Sequence, residues 1–338
     1  MAFVNAFYAK NLYYLTLSEE NMILCDYFRP TPDLTWRLAN CLGVDKGVIR
    51  LPEDEDFDLT SLPMLESVTD RFRVNGIEPI IIEPLPNSLH DHIKLGDEKR
   101  DESIEKFIKL LENLPKVGIT TVCFNFMAHY GWTRTSKTLP ERGGSFVTGF
   151  RLEDFHDDRY ILTSEKLREN FDYFMKAVLP TAERVGVKLA LHPDDPPLEN
   201  LGGVARIFTS LDRIKAAVAR YDSPSFGVTF CQACYKLMGE RLDAAIPALA
   251  DRIFFIHFRN VRGVKTNFTE TYHDNGDIDM ADAVRLYKKY CPDGAKNIPI
   301  RVDHVPTLPF ETGNHDGYDA LGRMFAIGYL KGIIEGET

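Results

Sequence analysis

The sequence has no long apolar run and no block of basic residues. No stretch reaches the roughly 18 consecutive apolar residues that a membrane-spanning helix needs. The formal net charge is −10 at pH 7, which argues against a surface that follows nucleic-acid phosphates. Residues 1–8 also lack the basic and apolar segments of a signal peptide. We therefore expect a soluble, cytoplasmic protein that binds a small molecule, with neither nucleic acid nor a membrane as partner.

Cysteine is also scarce, with six in 338 residues. So few thiols in so long a chain do not make a disulfide scaffold, and we interpret them as reduced side chains, one of which is available to bind a metal. The hydrophobic content of 44% is enough for one large core. A (β/α)8 barrel of roughly 250 residues plus insertions would use the whole chain, so we predict a single domain over residues 1–338.

Short β-branched and aromatic runs alternate with longer, charged segments of helical period. This alternation is typical of βα units around a parallel sheet. There are eight such runs: 22–27, 43–50, 78–83, 120–125, 188–192, 227–231, 253–257 and 298–303. Eight runs predict an α/β fold with a single (β/α)8 TIM barrel, and an open doubly wound sheet stays as the alternative.

The segments between the runs predict helices and one long excursion. Residues 101–114 and 164–178 have helical patterns, and the second is expected to end before Pro180. The longest gap lies between the fourth and fifth runs. There, residues 131–158 contain Gly143 and Gly144, several aromatic residues and many charges. We predict a loop excursion over the mouth of the barrel.

Polar side chains stand where the predicted strands end. They are Arg50, Glu83, Asn125, His192, Cys231, His257 and Asp303. In a barrel of parallel strands these ends share the face on which the βα loops assemble active sites. The sequence therefore predicts one rim of functional groups.

Four members of this rim are able to bind a metal: His192, Cys231, His257 and Asp303. Two anionic and two neutral ligands would leave a divalent cation near neutral, with coordination positions free for substrate oxygens. Cys231 also forms a Cys-x-x-Cys pattern with Cys234, which fits a redox pair or half of a zinc site.

Acid, base and ion-pairing candidates lie beside these four residues. His304 follows Asp303 directly, where an imidazole could reach over a bound substrate. Asp194 and Asp195 follow His192-Pro193 and would either orient the ligands from behind or begin a loop. Three arginines could hold an anionic substrate, although surface ion pairing is their usual role: Arg134, Arg259 and Arg301.

Seven collinear segments resemble the mannonate dehydratase family in order and spacing. They are VCFNFM at 122–127, WTRT at 132–135, LHPDDPP at 191–197, GVTFC at 227–231, IHFRNV at 256–261, FTETYH at 268–273 with GDIDM at 276–280, and RVDH at 301–304 with GY at 317–318 and LGR at 321–323. Each segment alone is a weak signal, but seven in order make a chance resemblance improbable. The likeness runs from about Glu83 to the C-terminus.

The resemblance implies a barrel related to xylose isomerase and a hydro-lyase that converts D-mannonate to 2-keto-3-deoxy-D-gluconate and water. It implies one divalent cation, Mn2+ or a similar ion such as Fe2+, Co2+ or Zn2+. It also implies His192, Cys231, His257 and Asp303 as ligands, and His304 and Tyr318 as the proton-transfer pair. The residues expected to contact the anionic sugar acid are Arg134, Asn125, Glu83, Arg259, His273 and Arg301. The oligomeric state stays open, with a homodimer as the common default for soluble enzymes.

The chain departs from the family pattern at three places around the expected pocket. Residues 48–52 read VIRLP where the family has paired histidines, 231–234 read CQAC where it has CTGS, and 303–305 read DHV where it has DHG. Altered pocket walls around an intact ligand set would suit a changed substrate, such as a related aldonate.

Three alternatives to a dehydratase stay open. One is a sugar isomerase or epimerase that uses the same metal. Another is a non-catalytic barrel that binds a sugar acid. An endonuclease of similar fold is the third, and the acidic charge and the absence of a larger His/Glu set argue against it.

Overall fold

The computed structural model describes residues 22–313 and 315–337. The expectation about the start of the chain, at residues 1–8, falls outside them. Eight parallel strands close into a barrel in chain order. They are β1 Ile23–Phe28, β2 Lys46–Ile49, β3 Glu78–Ile82, β4 Thr121–Phe124, β5 Lys188–Leu191, β6 Phe226–Cys231, β7 Ile253–Phe258 and β8 Pro299–Val302. Because β1 pairs with β8, Ile23 opposite Pro299, the sheet is closed and the open doubly wound alternative is wrong.

Helices surround this barrel. They are α1 Leu34–Cys41, α2 Leu62–Arg73, α3 Asn87–Leu95, α4 Arg100–Asn113, α5 Ser164–Val185, α6 Leu211–Tyr221, α7 Gln232–Met238, α8 Leu242–Leu249, α9 Met280–Tyr290 and α10 Ala320–Gly336. The helix predicted over 101–114 is confirmed as α4. None of the helices in the described part of the chain is both long and apolar enough to cross a bilayer.

The predicted end of α5 before Pro180 is wrong. The helix is capped at its start by the Thr163 side chain, which accepts from the amide of Lys166. It continues through Pro180 to Val185 and is capped at its end by Gly186, whose φ is 74°. Proline inside a helix costs about 3 kcal/mol. On both sides of it, Val178 and Ala182 are completely buried, and this tertiary packing outweighs the local penalty.

The barrel strands alternate between two apolar layers. Most of the core lies between the barrel and its helices, as with Leu189 and Leu191 of β5. A smaller cluster fills the barrel interior, and it includes Ala190 of the same strand. Successive side chains of a strand point to opposite faces. The residue two positions after an interior residue therefore also points inward, one layer closer to the mouth.

The excursion at 131–158 is more ordered than the predicted loop. It supplies the strands Ser136–Pro140 and Phe146–Arg151 to a four-stranded antiparallel sheet. The other two strands, Val261–Val264 and Asn267–Glu270, form a hairpin that follows β7. Phe150 packs on Phe268 across this pairing, with ring centroids 5.9 Å apart. The segment forms strands because the hairpin after β7, which is distant in the sequence, completes its backbone hydrogen bonds. We name it the accessory sheet.

Candidate metal centre and active site

The period of the strands places the functional side chains above the interior cluster. Its members Ile81, Cys123, Ala190 and Phe255 are each followed two residues later by a polar side chain. These side chains are Glu83, Asn125, His192 and His257. They line one cavity of about 440 Å³ at the carboxyl ends of the strands, together with Arg301, Asp303, His304 and Tyr318.

His257 lies at the centre of this arrangement. Oε1 of Glu83 is 3.1 Å from its Nε2, and Oδ2 of Asp303 is 3.3 Å from its Nδ1. Neither ring nitrogen makes a hydrogen bond of acceptable geometry to any described residue, although both are buried. Burial opposes a charged imidazole, but the two carboxylates raise the pKa of His257 well above its ordinary value. Buried nitrogens without hydrogen bonds beside carboxylates are what a metal site requires.

Two groups of possible ligands meet at Cys231. In one, the donor atoms of Cys231, His257 and Asp303 lie within 4.8 Å of one another, and in the other those of His192, Cys231 and Cys234 do. The rings of His192 and His257 are 4.9 Å apart. The structure therefore brings the four predicted ligands into two overlapping groups that share Cys231, and their mixed thiol, imidazole and carboxylate chemistry fits a divalent cation.

The thiol of Cys231 is set up to ionise. Burial alone would raise its pKa, but the nearby Cys234 thiol, the guanidinium of Arg259 and the imidazoles lower it well below the ordinary value. The thiolate is the form of cysteine that binds metals. A third donor group, Glu83, Cys123 and His257, overlaps the first at His257. Burial raises the pKa of Cys123 to about 12, so this thiol is poorly suited to bind as a thiolate.

The structure turns Arg134 and Arg259 away from the cavity, although the sequence predicts substrate contacts for both. Arg134 binds both carboxylate oxygens of Asp195, at 3.0 and 2.9 Å, and Oε1 of Glu270 at 2.6 Å. Arg259 pairs with the same two residues, at 2.7 Å to Asp195 and 2.6 Å to Glu270. All four side chains are buried. Each guanidinium is thus neutralised behind the cavity wall. Removal of one partner would leave a buried charge without an opposite charge beside it.

Glu270 links this network to His304. Its Oε1 is 3.1 Å from Nδ1 of His304. Burial opposes ionisation of Glu270, but Arg259, His304 and Arg134 hold the pKa of its carboxyl well below the usual range. A carboxylate at Nδ1 fixes the imidazole with a proton on that nitrogen and leaves Nε2 with its lone pair.

The backbone at His304 has an unusual conformation. Its φ is 46°, in the left-handed region that few residues other than glycine adopt. Gly317 packs directly against it, and the amide of Val305 donates to the carbonyl of Gly317 over 2.8 Å. The ring of Trp132 lies 4.8 Å from the imidazole. The His304 ring therefore lies beside Trp132 at the cavity wall.

Tyr318 enters the cavity beside His304, with the two rings 5.3 Å apart. Its hydroxyl donates to Oδ1 of Asp303 over 2.7 Å. Arg301 contacts the same carboxylate oxygen at 2.7 Å and Glu83 at 2.9 Å. Burial and the Asp303 carboxylate raise the pKa of the Tyr318 phenol well above its ordinary value.

The remaining predicted residues occupy different places. Asp195 lines the cavity and belongs to the arginine network, but Asp194 is buried in a loop, where it accepts from the amide of Phe208 over 2.7 Å. His273 is also buried, with its Nε2 2.7 Å from the carbonyl of Phe258. Neither Asp194 nor His273 lines the cavity, because both serve backbone groups behind it.

Several side chains at the site have no signal of their own in the sequence. Glu270 belongs to a strand of the accessory sheet, and only its place within the FTETYH segment pointed to it. Lys94 lines the cavity although it is almost fully buried, and its nearest carboxylate is Asp91 at 3.4 Å. Lys94 and Asp91 both lie on helix α3, whose amphipathic pattern predicts that the helix packs on the core but gives no sign of a functional residue. Arg50, by contrast, lines the cavity as its place at the end of a predicted strand suggests.

Comparisons with known proteins agree with this geometry. The model of the family described as D-mannonate dehydratase (UxuA) matches residues 42–163 and 151–337. A mannonate dehydratase of Streptococcus agalactiae serotype III (strain NEM316) is 33% identical over 326 residues, which covers 87% of this chain and 90% of that one. The crystal structure of mannonate dehydratase from Streptococcus suis serotype 2 superimposes with a TM-score of 0.84 at 30% identity, covering 94% of this chain and 93% of that one.

A more distant structure shares the fold alone. A xylose isomerase domain protein from Planctomyces limnophilus has a TM-score of 0.59 at 11% identity, over 94% of this chain and 97% of that chain. The xylose isomerase-like barrel predicted from the sequence is therefore confirmed.

Proposed function

Because this chain belongs to the D-mannonate dehydratase family, we propose that its cavity removes water from D-mannonate, or from a closely related aldonate, to give the 2-keto-3-deoxy acid. Curated relatives at about one-third identity are named for this hydro-lyase activity. The observation that carries the proposal is the convergence of His192, His257 and Asp303 with His304 and Tyr318 on one cavity at the carboxyl ends of the strands, with Cys231 beside these donors.

His192, Cys231, His257 and Asp303 would hold the divalent cation on which the family depends. Such a cation would stabilise the negative charge that develops on the substrate carboxylate when the weakly acidic proton beside it is removed. We propose Mn2+ as the ion, since the carboxylate of Asp303 and free positions for substrate oxygens suit it. Thiolate and imidazole donors are equally compatible with Fe2+, Co2+ or Zn2+.

His304 is the base in this proposal. The Glu270 carboxylate at Nδ1 leaves Nε2 free to accept the proton from C2, next to the carboxylate of the substrate. Arg134 and Arg259 hold Glu270 in place from behind. Their proposed role is therefore to position the base through Glu270.

Tyr318 is the acid. Its hydroxyl carries a proton in the structure, donated to Asp303, and stands next to the His304 ring. Transfer of a proton to the C3 hydroxyl lets it leave as water while the C2–H electrons form the C2=C3 bond. The resulting enol rearranges to the 2-keto acid. One proton is taken at C2 and one is given at C3, so the reaction is balanced.

A panel of aldonic acids tests the reaction. We expect protein reconstituted with Mn2+ to form a 2-keto-3-deoxy acid from D-mannonate or a stereochemical relative, measured as the keto acid released over time. The three departures around the pocket make the rank order of substrates informative. If no aldonate loses water while carbonyl sugars are interconverted with proton exchange, the isomerase or epimerase alternative replaces the dehydratase.

Tyr318→Phe tests the acid separately. The substitution keeps the ring but removes the donor, so kcat should fall by about 10²–10³, in the range that general acid–base catalysis contributes. Metal content should be unchanged, because the phenol is not a proposed ligand. The matched control is Tyr27→Phe, since its ring lies 5.2 Å from that of Tyr318 and also lines the cavity. Equal losses in the two variants would remove Tyr318 from the chemistry.

A further inference from the structure

We propose that Cys234 is a further metal ligand, recruited together with His192 and Cys231 when the barrel binds a thiophilic cation such as Zn2+. The donor atoms of these three residues lie within 4.8 Å of one another. This inference rests on the metal site of the proposed function and adds to it a second, sulfur-rich set of donors.

Local structure places the second thiol. Cys231 ends β6 and α7 begins at the next residue, so the strand turns directly into a helix and Cys234 returns over the end of the strand. Both side chains are completely buried. The thiol therefore faces the neighbourhood of the ligands and is shielded from solvent.

Arg259, which is paired with Asp195 and Glu270, also approaches both sulfurs. Its Nη1 lies 3.6 Å from Sγ of Cys231 and 3.7 Å from Sγ of Cys234. Burial and the neighbouring Cys231 raise the pKa of the Cys234 thiol well above its ordinary value, so Cys234 keeps its proton until a bound cation displaces it. With two thiolates and one dication, the sulfur-rich set would be formally neutral.

The two donor sets share Cys231 but differ in softness. Cys231, His257 and Asp303 include a carboxylate, which suits Mn2+, whereas His192, Cys231 and Cys234 offer two sulfurs, which suit Zn2+. The identity of the ion should therefore decide how many sulfurs are bound. A small shift of the ion toward Cys234 would replace the carboxylate-containing set of donors by the sulfur-rich set.

X-ray absorption at the zinc edge counts the sulfurs directly in the full-length protein. We expect two sulfur neighbours per zinc at about 2.3 Å in the unaltered protein. One sulfur should remain in Cys234→Ser and in Cys234→Ala, and two in Cys291→Ser, which removes a buried thiol outside the donor groups. Competition with a zinc chelator should show at least a tenfold loss of zinc affinity in both Cys234 variants.

The sulfur count in the unaltered protein is enough to overturn the inference. The test therefore does not depend on whether the Cys234 variants fold. A single sulfur neighbour in the zinc-loaded protein, with Mn2+-dependent dehydration intact, would exclude Cys234 as a ligand and leave the proposed function standing. No sulfur neighbour at all would remove Cys231 too and overturn the proposed metal site. A disulfide between Cys231 and Cys234 in protein purified under reducing conditions would also contradict the inference.

Discussion

Replacing His304 by asparagine should abolish turnover and leave the cation in place. The variant loses the Nε2 lone pair that accepts the substrate proton in the proposed mechanism, and a general base contributes about 10²–10⁴-fold to rate. We therefore expect kcat to fall by about 10³ or more. Asparagine tolerates the left-handed backbone at this position, where φ is 46°, so the fold should survive. The measurements are the dehydration rate and the metal content of the same preparation.

His129→Asn is the matched control. His129 also has a left-handed backbone, with φ of 56°, and its ring stacks on Tyr160 at 3.9 Å. The same substitution there changes a histidine at the cavity without touching Glu270 or Tyr318, so kcat should change far less. Loss of bound cation in His304→Asn would instead show that His304 belongs to the ligand set.

Much of this site follows from the period of the strands. His192, His257 and Asp303 could be predicted because each terminates an apolar run that alternates between two faces, and the carboxyl ends of parallel strands meet at one rim. Cys231 ends its strand in the same way. Local sequence determines these positions, and the closure of the barrel then brings them together.

The partners of the arginines could not be predicted in this way. Arg134 follows a barrel strand by several residues, and Glu270 lies in the accessory sheet, so their contact depends on two excursions that pair with each other. The sequence around an arginine does not indicate whether a substrate or a distant carboxylate will neutralise its charge. The same holds for Pro180, where buried neighbours rather than the local pattern extend α5.

The sequence also did not indicate which of His304 and Tyr318 acts as the base and which as the acid. The distinguishing contacts are the carboxylate of Glu270 at Nδ1 of His304 and that of Asp303 at the Tyr318 hydroxyl. Both are long-range pairings, one of them through the accessory sheet. The accessory sheet thus supplies the group that orients the proposed base. The barrel itself supplies the proposed ligands, and Tyr318 approaches from the segment before α10.

Cys231→Ser should lose Mn2+ and, with it, the dehydratase activity. A serine hydroxyl has nearly the same size but stays protonated, so it cannot replace a thiolate as an anionic ligand. Substitution of a residue that only hydrogen-bonds to a metal ligand typically lowers metal affinity or activity by about 10–100-fold. Removing the ligand itself should therefore weaken Mn2+ binding by more than about 100-fold, measured as Mn2+ retained per chain after gel filtration and as the rate at saturating Mn2+.

Cys123→Ser separates the two places where the cation could lie. Cys123 shares a donor group with Glu83 and His257 that omits Cys231, and its Sγ is 3.1 Å from Oε1 of Glu83. Because burial raises the pKa of the Cys123 thiol, it should remain protonated, and Cys123→Ser should retain Mn2+. Retention in Cys231→Ser with loss in Cys123→Ser would move the cation to the Glu83 side of His257. The assignment of His304 and Tyr318 would then have to be derived again from that position.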